Sequence, residues 1–211
     1  MSSGAPTAWL DLLDWRREVS ALYARVRAEL PRDPQAAHQL WQTGRNALFK
    51  AHPQSPLDAA ARAAFASLPC WPYDPALAFS ARVDTSGPQE RLTVPSSTGQ
   101  DMSLVRFGQV TLPIGTLDVY WIDVYGGGVF LPFRDATSGQ ESYGGGRYLL
   151  DTAKSADLGS LSLNGTASGA LRLDFNFAYH PSCFYDSRWS CPLAPPQNVL
   201  GGPVRAGERL S

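Results

Sequence analysis

The hydrophobic periodicity of the sequence changes once, at the proline-rich segment 68–75 (LPCWPYDP), and this change constrains the fold more than any other feature. Before the segment, apolar residues recur at steps of three and four, which is typical of amphipathic helices. The pattern predicts one helix over residues 9–30 and a second between Asp33-Pro34 and Pro53, since aspartate followed by proline often starts a helix. A short alanine-rich helix, predicted to start from a capping box at Ser55, ends near residue 66.

After segment 68–75, apolar and polar residues alternate, and this period of two predicts β-strands. The predicted strands cover residues 77–83, 91–94, 102–107, 110–114, 117–125, 129–133, 147–151 and 171–177. Short turn sequences join them, which favours hairpins and therefore antiparallel pairing. The sequence thus predicts an α+β fold, with N-terminal helices followed by an antiparallel β-barrel or two-layer β-sandwich. We expect one structural domain, in which residues 1–68 pack on a β-rich core of residues 69–211 and residues 180–209 form an ordered wrap.

Charge and hydropathy argue against several classes of protein. The net charge is −1 and the charges are interspersed, so we expect no nucleic-acid partner. No apolar run approaches the roughly 20 residues that cross a bilayer, so no membrane partner is expected either. Asp11 and Asp14 interrupt the N-terminal apolar stretch, which is unlike a signal peptide, and three cysteines are too few for a secreted disulfide framework. These features predict a soluble, cytoplasmic protein.

Three segments carry a recognisable pattern: residues 132–139 (PFRDATSG), 143–148 (YGGGRY) and 173–179 (LDFNFAY). Together with the segments CPLAPP and AGE nearer the C-terminus, they resemble a bacterial and archaeal family called domain of unknown function 1684. The resemblance covers most of the chain and implies a fold and a location for the functional site, but no reaction. One position departs from the family pattern, because the chain has Tyr179-His180-Pro181 where the family commonly has Tyr-Asn-Pro. A role for His180 would therefore be particular to this protein.

The segment Tyr143-Gly144-Gly145-Gly146-Arg147 is a candidate binding site. Three consecutive glycines can direct backbone N–H groups at one anion, and Arg147 would supply a positive charge. Neither a phosphate-binding P-loop nor a dinucleotide-binding motif is indicated, because no Lys-Ser/Thr pair and no helix is expected to follow. The alternative is structural, a β-bulge or a close strand crossing that only glycine tolerates.

Arg134 is a second candidate for binding a ligand. It precedes Asp135 at the end of a β-rich run, and arginine forms bidentate contacts with planar anions. Adjacent residues on a strand point to opposite faces, so Arg134 and Asp135 cannot both enter one pocket unless the strand has ended. The alternative is an internal ion pair that holds the loop at residues 136–142.

Two candidate catalytic groups lie in and after the last predicted strand. Asp174 and Asn176 share one face by the period of two, and burial of the Asp174 carboxyl would raise its pKa. His180, on a proline-bounded turn, would act as a general base near neutral pH. The alternatives are a structural polar network for Asp174 and Asn176, and a solvated or capping role for His180.

Cys183 and Cys191 bracket residues 184–190. They are interpreted first as buried structural thiols, with a disulfide or a catalytic thiolate beside His180 or Arg188 as alternatives. His180 and the two cysteines supply three of the four ligands that a zinc site usually needs, with Cys70 or Asp174 as a conceivable fourth, and no metal ligand is assigned.

The preferred interpretation is a protein that binds a small anionic or polar molecule at the barrel mouth, with acid–base or hydrolytic catalysis as an extension. The residues assigned to catalysis are Asp174 and His180, and those assigned to ligand binding are Arg134, Tyr143, Gly144, Gly145, Gly146, Arg147 and Asn176. The alternatives are a flavin- or metal-binding redox protein and a non-catalytic scaffold module. The sequence leaves the identity of any cofactor and the oligomeric state open.

Overall fold

The computed structural model describes residues 6–163 and 166–211, and within these ranges the chain divides into two compact units. The helical unit comprises the described residues up to Leu68 together with Lys154–Ala156. The β-rich unit comprises Pro69–Ala153 and the described part of Asp157–Ser211. Within the described ranges, no helix combines the length and the apolar character needed to cross a membrane.

The helical unit contains the three helices that the periodicity predicts, which are α1 (Pro6–Glu29), α2 (Pro34–Ala51) and α3 (Ala59–Ala64). Asp33 caps α2, since its carboxylate accepts the main-chain N–H three residues later at 2.9 Å. The cap of α3 differs from the predicted one. Asp58 accepts the equivalent N–H at 2.7 Å, whereas the Ser55 hydroxyl donates to the Phe49 carbonyl oxygen at 2.7 Å.

The β-rich unit contains two antiparallel sheets, so the antiparallel pairing predicted from the short turns is confirmed. The strands are β1 (Ala78–Arg82), β2 (Glu90–Pro95), β3 (Asp101–Leu112), β4 (Gly115–Ile122), β5 (Val129–Phe133), β6 (Arg147–Asp151), β7 (Ser160–Leu163) and β8 (Thr166–Asp174). One sheet has the order β2-β3-β4-β5-β6 and the other the order β1-β8-β7. The described strands therefore form separate sheets and not a closed barrel, which fits the sandwich-like alternative.

Apart from small shifts at strand ends, the main differences from the prediction concern β3, β7 and β8. Two predicted strands merge into β3, whose pairing with β4 shifts by one residue between Arg106 and Gly108. A Cβ at Gly108 would lie 2.4 Å from the Val83 side chain, so glycine permits a close approach at this bulge. β8 ends at Asp174 and a 3₁₀ helix (Phe175–Phe177) follows, and β7 is not among the predicted strands.

Both sheets contribute to one hydrophobic core. Its buried members include Val110, Leu117, Leu131, Phe133, Leu149, Leu173 and Phe175. The rings of Phe133 and Phe175 meet edge to face with centroids 5.0 Å apart, and Val204 and Ala206 from the C-terminal segment join the same core. The chain immediately after β5 and at the start of β6 is therefore held by a packed interior.

Candidate functional site

The residues that the sequence assigns to a site lie at several places in the β-rich unit. Arg134, Gly144 and Gly145 line one cleft. Tyr143 lies at a cluster of two thiols, with His180 beside it. Arg147 belongs to an interior ion pair and directly follows Gly146. Asp174 and Asn176 form a polar cluster at the end of β8.

Arg147 belongs to the interior, with 1% of its side chain exposed. Its guanidinium donates to the carbonyl oxygens of Val204 (2.7 Å) and Ala206 and to Oδ1 of Asp135 (3.1 Å), and it lies 5.1 Å from the ring centre of Trp71. Burial lowers the Arg147 pKa, and the Asp135 carboxylate opposes this effect. Because these acceptors belong to the protein itself, Arg147 holds the C-terminal segment in place. This corrects the expectation that it presents its charge to a ligand.

Asp135 completes this interior arrangement. Besides Arg147, its carboxylate accepts the N–H of Val204 at 2.7 Å, the N–H of Thr137 at 3.2 Å and the hydroxyl of Thr137 at 3.0 Å. The expected internal ion pair that holds the loop at residues 136–142 therefore exists, but its cation is Arg147 and not Arg134.

Gly146 is required by the backbone. Its φ is +95°, and a Cβ there would lie 2.6 Å from the Phe133 carbonyl oxygen and 2.9 Å from the Ala194 Cβ. Only glycine fits this close strand crossing, as the structural alternative supposes. Gly146 therefore contributes to the fold and not to an anion-binding loop.

Asp174 and Asn176 lie where β8 ends, so the expectation that they share one strand face is wrong. The Asp174 carboxylate caps the 3₁₀ helix, accepting the Asn176 N–H at 3.0 Å, its side-chain amide at 2.8 Å and the Tyr73 hydroxyl at 3.2 Å. The Asn176 side chain also bonds the main-chain N–H and carbonyl of Asp74, both at 2.8 Å. Burial raises the Asp174 pKa, and burial together with the Asp174 charge raises the pKa of Tyr73 to about 12. These contacts anchor the segment before β1 and leave Asp174 2% exposed.

His180 is also only 2% exposed. Its Nε2 accepts the Tyr143 N–H at 3.2 Å, so the nitrogen that would act as a base is already engaged. Its main-chain N–H donates to Oε2 of Glu208 at 2.7 Å, and its ring lies 4.4 Å from that of Phe184. A buried, positioning role thus replaces both the expected general base and the expected solvated histidine.

The thiol cluster comprises Cys183, Cys191, Tyr143 and Ser97. Neither cysteine forms a disulfide, and no group of three or more potential metal ligands occurs in the described part of the chain. Hydrogen bonds lower the Cys183 pKa to about 6, the largest effect coming from Cys191 and smaller ones from Ser97 and Tyr143, with burial opposing them. Burial and the neighbouring Cys183 raise the Tyr143 pKa.

The cleft around Arg134 has a volume of about 500 Å³. Its walls are the end of β2 (residues 92–95), Gly144 and Gly145, and residues 193–197. The Nε of Arg134 is buried and forms no hydrogen bond within the described residues. The main-chain N–H groups of Gly144 and Gly145 likewise have no hydrogen-bond partner in that part of the chain. The cleft therefore presents unused donors beside largely apolar walls.

Two walls of this cleft are not among the predicted site residues. Residues 193–196 belong to the CPLAPP segment and Gln197 directly follows it, so the resemblance pointed to this wall. The end of β2 carries no comparable signal, because only tertiary pairing brings residues 92–95 opposite Arg134. Leu193 is attached to this strand by its N–H, which donates to the Pro95 carbonyl oxygen at 3.3 Å.

Comparison with known proteins places the chain in a family. The family model described as "Protein of unknown function (DUF1684)" matches residues 63–209, and the chain belongs to this family. The solution NMR structure of an uncharacterized protein from Haloarcula marismortui is similar, with 30% sequence identity and a TM-score of 0.58. That match covers 86% of this chain and 97% of the archaeal one. A comparison with curated proteins gave no significant match.

Proposed function

We propose that this member of the family binds a small anionic molecule in the cleft around Arg134. The observation that carries the proposal is the buried Arg134 Nε, which forms no hydrogen bond with any described residue. A buried polar group without a partner costs about 1–3 kcal/mol, so a ligand oxygen at this nitrogen would relieve a real penalty. Arginine suits a carboxylate or phosphate because its planar fork can donate two parallel hydrogen bonds.

Other groups of the cleft support the same ligand chemistry. The unpaired N–H groups of Gly144 and Gly145 add neutral donors to the positive charge of Arg134. Leu92, Val94 and the segment 193–196 supply apolar surface beside them. A volume of about 500 Å³ is in the range typical of small-molecule sites. The combination favours a ligand with one anionic head group and an apolar body.

Binding has more support than acid–base catalysis. Among the described residues that line the cleft, Arg134 is the one ionisable side chain. The two residues assigned to catalysis, Asp174 and His180, are buried and engaged in hydrogen bonds elsewhere. A flavin or metal cofactor stays a prediction of the sequence alone.

The test is a thermal-shift screen of wild-type protein against small aliphatic and aromatic carboxylates and phosphate monoesters, followed by calorimetric titration of the strongest compound. Arg134→Gln should bind that compound roughly 10–150-fold more weakly, since a hydrogen bond to a charged group contributes about 1.5–3 kcal/mol. The matched control is Arg205→Gln, which removes the same charge from an exposed arginine paired with Glu141 at 2.8 Å.

Equal affinity in Arg134→Gln and wild type would contradict the proposed site. If no carboxylate or phosphate stabilises the wild-type protein, the scaffold alternative becomes the better description. Native mass spectrometry of freshly purified protein, compared with the denatured sample, adds an independent check for a molecule that co-purifies in the cleft.

A further inference from the structure

The thiol cluster shares no residue with the cleft, although Tyr143 directly precedes Gly144, and its two cysteines are in contact. The Cys183 N–H donates to the Cys191 Sγ at 3.3 Å, and Cys191 has the largest effect in lowering the Cys183 pKa. Cys183 is half-buried, whereas Cys191 is only 4% exposed. Cys183 is therefore the more exposed of the two cysteines, and Cys191 lies behind it.

Three segments that are distant in sequence hold this arrangement. The Cys191 N–H donates to the Ser97 hydroxyl at 3.1 Å, and the Ser97 N–H donates to the Cys191 carbonyl oxygen at 2.9 Å. Tyr143 is fixed through its own N–H, which bonds the His180 ring. The Ser97 hydroxyl donates to the Trp189 carbonyl oxygen at 2.9 Å, and Ser97 and Tyr143 both help to lower the Cys183 pKa. Such convergence stabilises a thiolate and is not needed to pack two inert thiols.

We propose that Cys183 and Cys191 form a redox-active dithiol that reduces small hydroperoxides, with Cys183 as the attacking thiol and Cys191 as the resolving thiol. This activity is independent of anion binding in the cleft. It uses the more exposed cysteine for the bimolecular step and the buried cysteine for the intramolecular one.

Reduction of the peroxide and formation of the disulfide take place in two steps. The Cys183 thiolate attacks one peroxide oxygen, so that an S–O bond forms, the O–O bond breaks and the alkoxide or hydroxide leaves and takes up a proton. Cys183 is thereby oxidised to the sulfenic acid. The Cys191 sulfur then attacks the Cys183 sulfur, so that the S–S bond forms, the S–O bond breaks and water leaves with the Cys191 proton. An external dithiol returns the pair to the reduced form by thiol–disulfide exchange.

The ionisation of Cys183 supports this division of roles. Its pKa of about 6 makes it mostly thiolate at neutral pH, and the titratable groups that face it are Cys191 and Tyr143. Attack on a peroxide requires the thiolate form.

The experiment treats the full chain with one equivalent of hydrogen peroxide and follows it by intact mass and disulfide mapping. Wild type should lose two hydrogen atoms and give a Cys183–Cys191 disulfide that dithiothreitol reverses. Cys191→Ser should stop at the sulfenic acid, which dimedone traps on Cys183. Cys183→Ser should lose the reaction, and Cys70→Ser, which alters the third cysteine, should behave as wild type.

A second measurement needs no variant. The rate of alkylation by iodoacetamide, followed separately for each cysteine by peptide mapping, should rise at Cys183 with a midpoint near pH 6. In urea the midpoint should move to the ordinary thiol value of about 8.5. An unshifted midpoint in the folded protein, peroxide consumption that survives in Cys183→Ser, or a disulfide that involves Cys70 would overturn the proposal.

Discussion

Replacement of Arg147 by methionine tests whether the buried guanidinium stabilises the C-terminal segment. The substitution leaves Asp135, whose side chain is fully buried, without its cation, and it removes the donors that bond the carbonyl oxygens of Val204 and Ala206. Breaking a buried pair from one side costs about 3–5 kcal/mol, because the remaining charge has no partner. The expected loss is a large part of a total stability of roughly 5–15 kcal/mol.

Urea unfolding at neutral pH, followed by circular dichroism, measures this loss. The matched control is Arg205→Met, which breaks an exposed pair with Glu141 and should cost far less, since solvent screens such a pair. Adding Asp135→Asn to Arg147→Met should recover part of the loss, since it removes the unpaired charge. The reasoning is refuted if Arg147→Met is no less stable than Arg205→Met, or if the double variant recovers nothing.

Three further predictions follow from the site. Arg134→Leu should leave the free energy of unfolding within about 1 kcal/mol of wild type or raise it, because Arg134 Nε has no partner among the described residues; urea titration checks this. Gly146→Ala should cost about 1–3 kcal/mol, since φ is +95° and the new Cβ would lie 2.6 Å from the Phe133 carbonyl oxygen. Gly144→Ala, whose Cβ meets nothing closer than 3.6 Å, is its control in the same titration. Wild type should gain stability relative to Cys183→Ser as pH rises from about 6 to about 8.5. A thiol whose pKa is lowered by folding stabilises the folded protein fully above its unfolded-state pKa, and this stabilisation is lost as pH falls through the folded-state pKa. Unfolding curves at both ends of this range would contradict the assignment if the difference stays constant.

The fold was predictable wherever a local pattern determines the structure. The limits of β5 and β6 agree with the prediction residue for residue, because apolar runs bounded by turn residues leave little choice of register. β8 was extended too far because Phe175 and Phe177 continue the alternation after the backbone has turned into a 3₁₀ helix. Asn176 is buried along with both phenylalanines, so the alternation there does not reflect a strand with one polar face.

The site was less predictable because its assignments depend on contacts between distant segments. From the sequence, Arg147 is a plausible ligand-binding residue. In the folded chain its guanidinium instead donates to the carbonyl oxygen of Val204, 57 residues later, at 2.7 Å. Nothing local distinguishes it from Arg134, the arginine that lines the cleft. The hydrogen bond between Ser97 and Cys191, which are 94 residues apart, likewise cannot be predicted from the sequence. Ser97 is one of the residues that lower the pKa of Cys183.

The contacts of Arg147 also set an order of events during synthesis on the ribosome. β5 and β6 emerge long before Val204, so for some time Arg147 and Asp135 lack the main-chain groups that surround them in the finished protein. At roughly 5–20 residues per second, translation of the intervening 57 residues takes roughly 3–11 s. During this interval the nascent β-rich unit holds an interior charge pair that is open on one side. We therefore expect the closure of this pair to be a late step of folding, after Val204 has emerged.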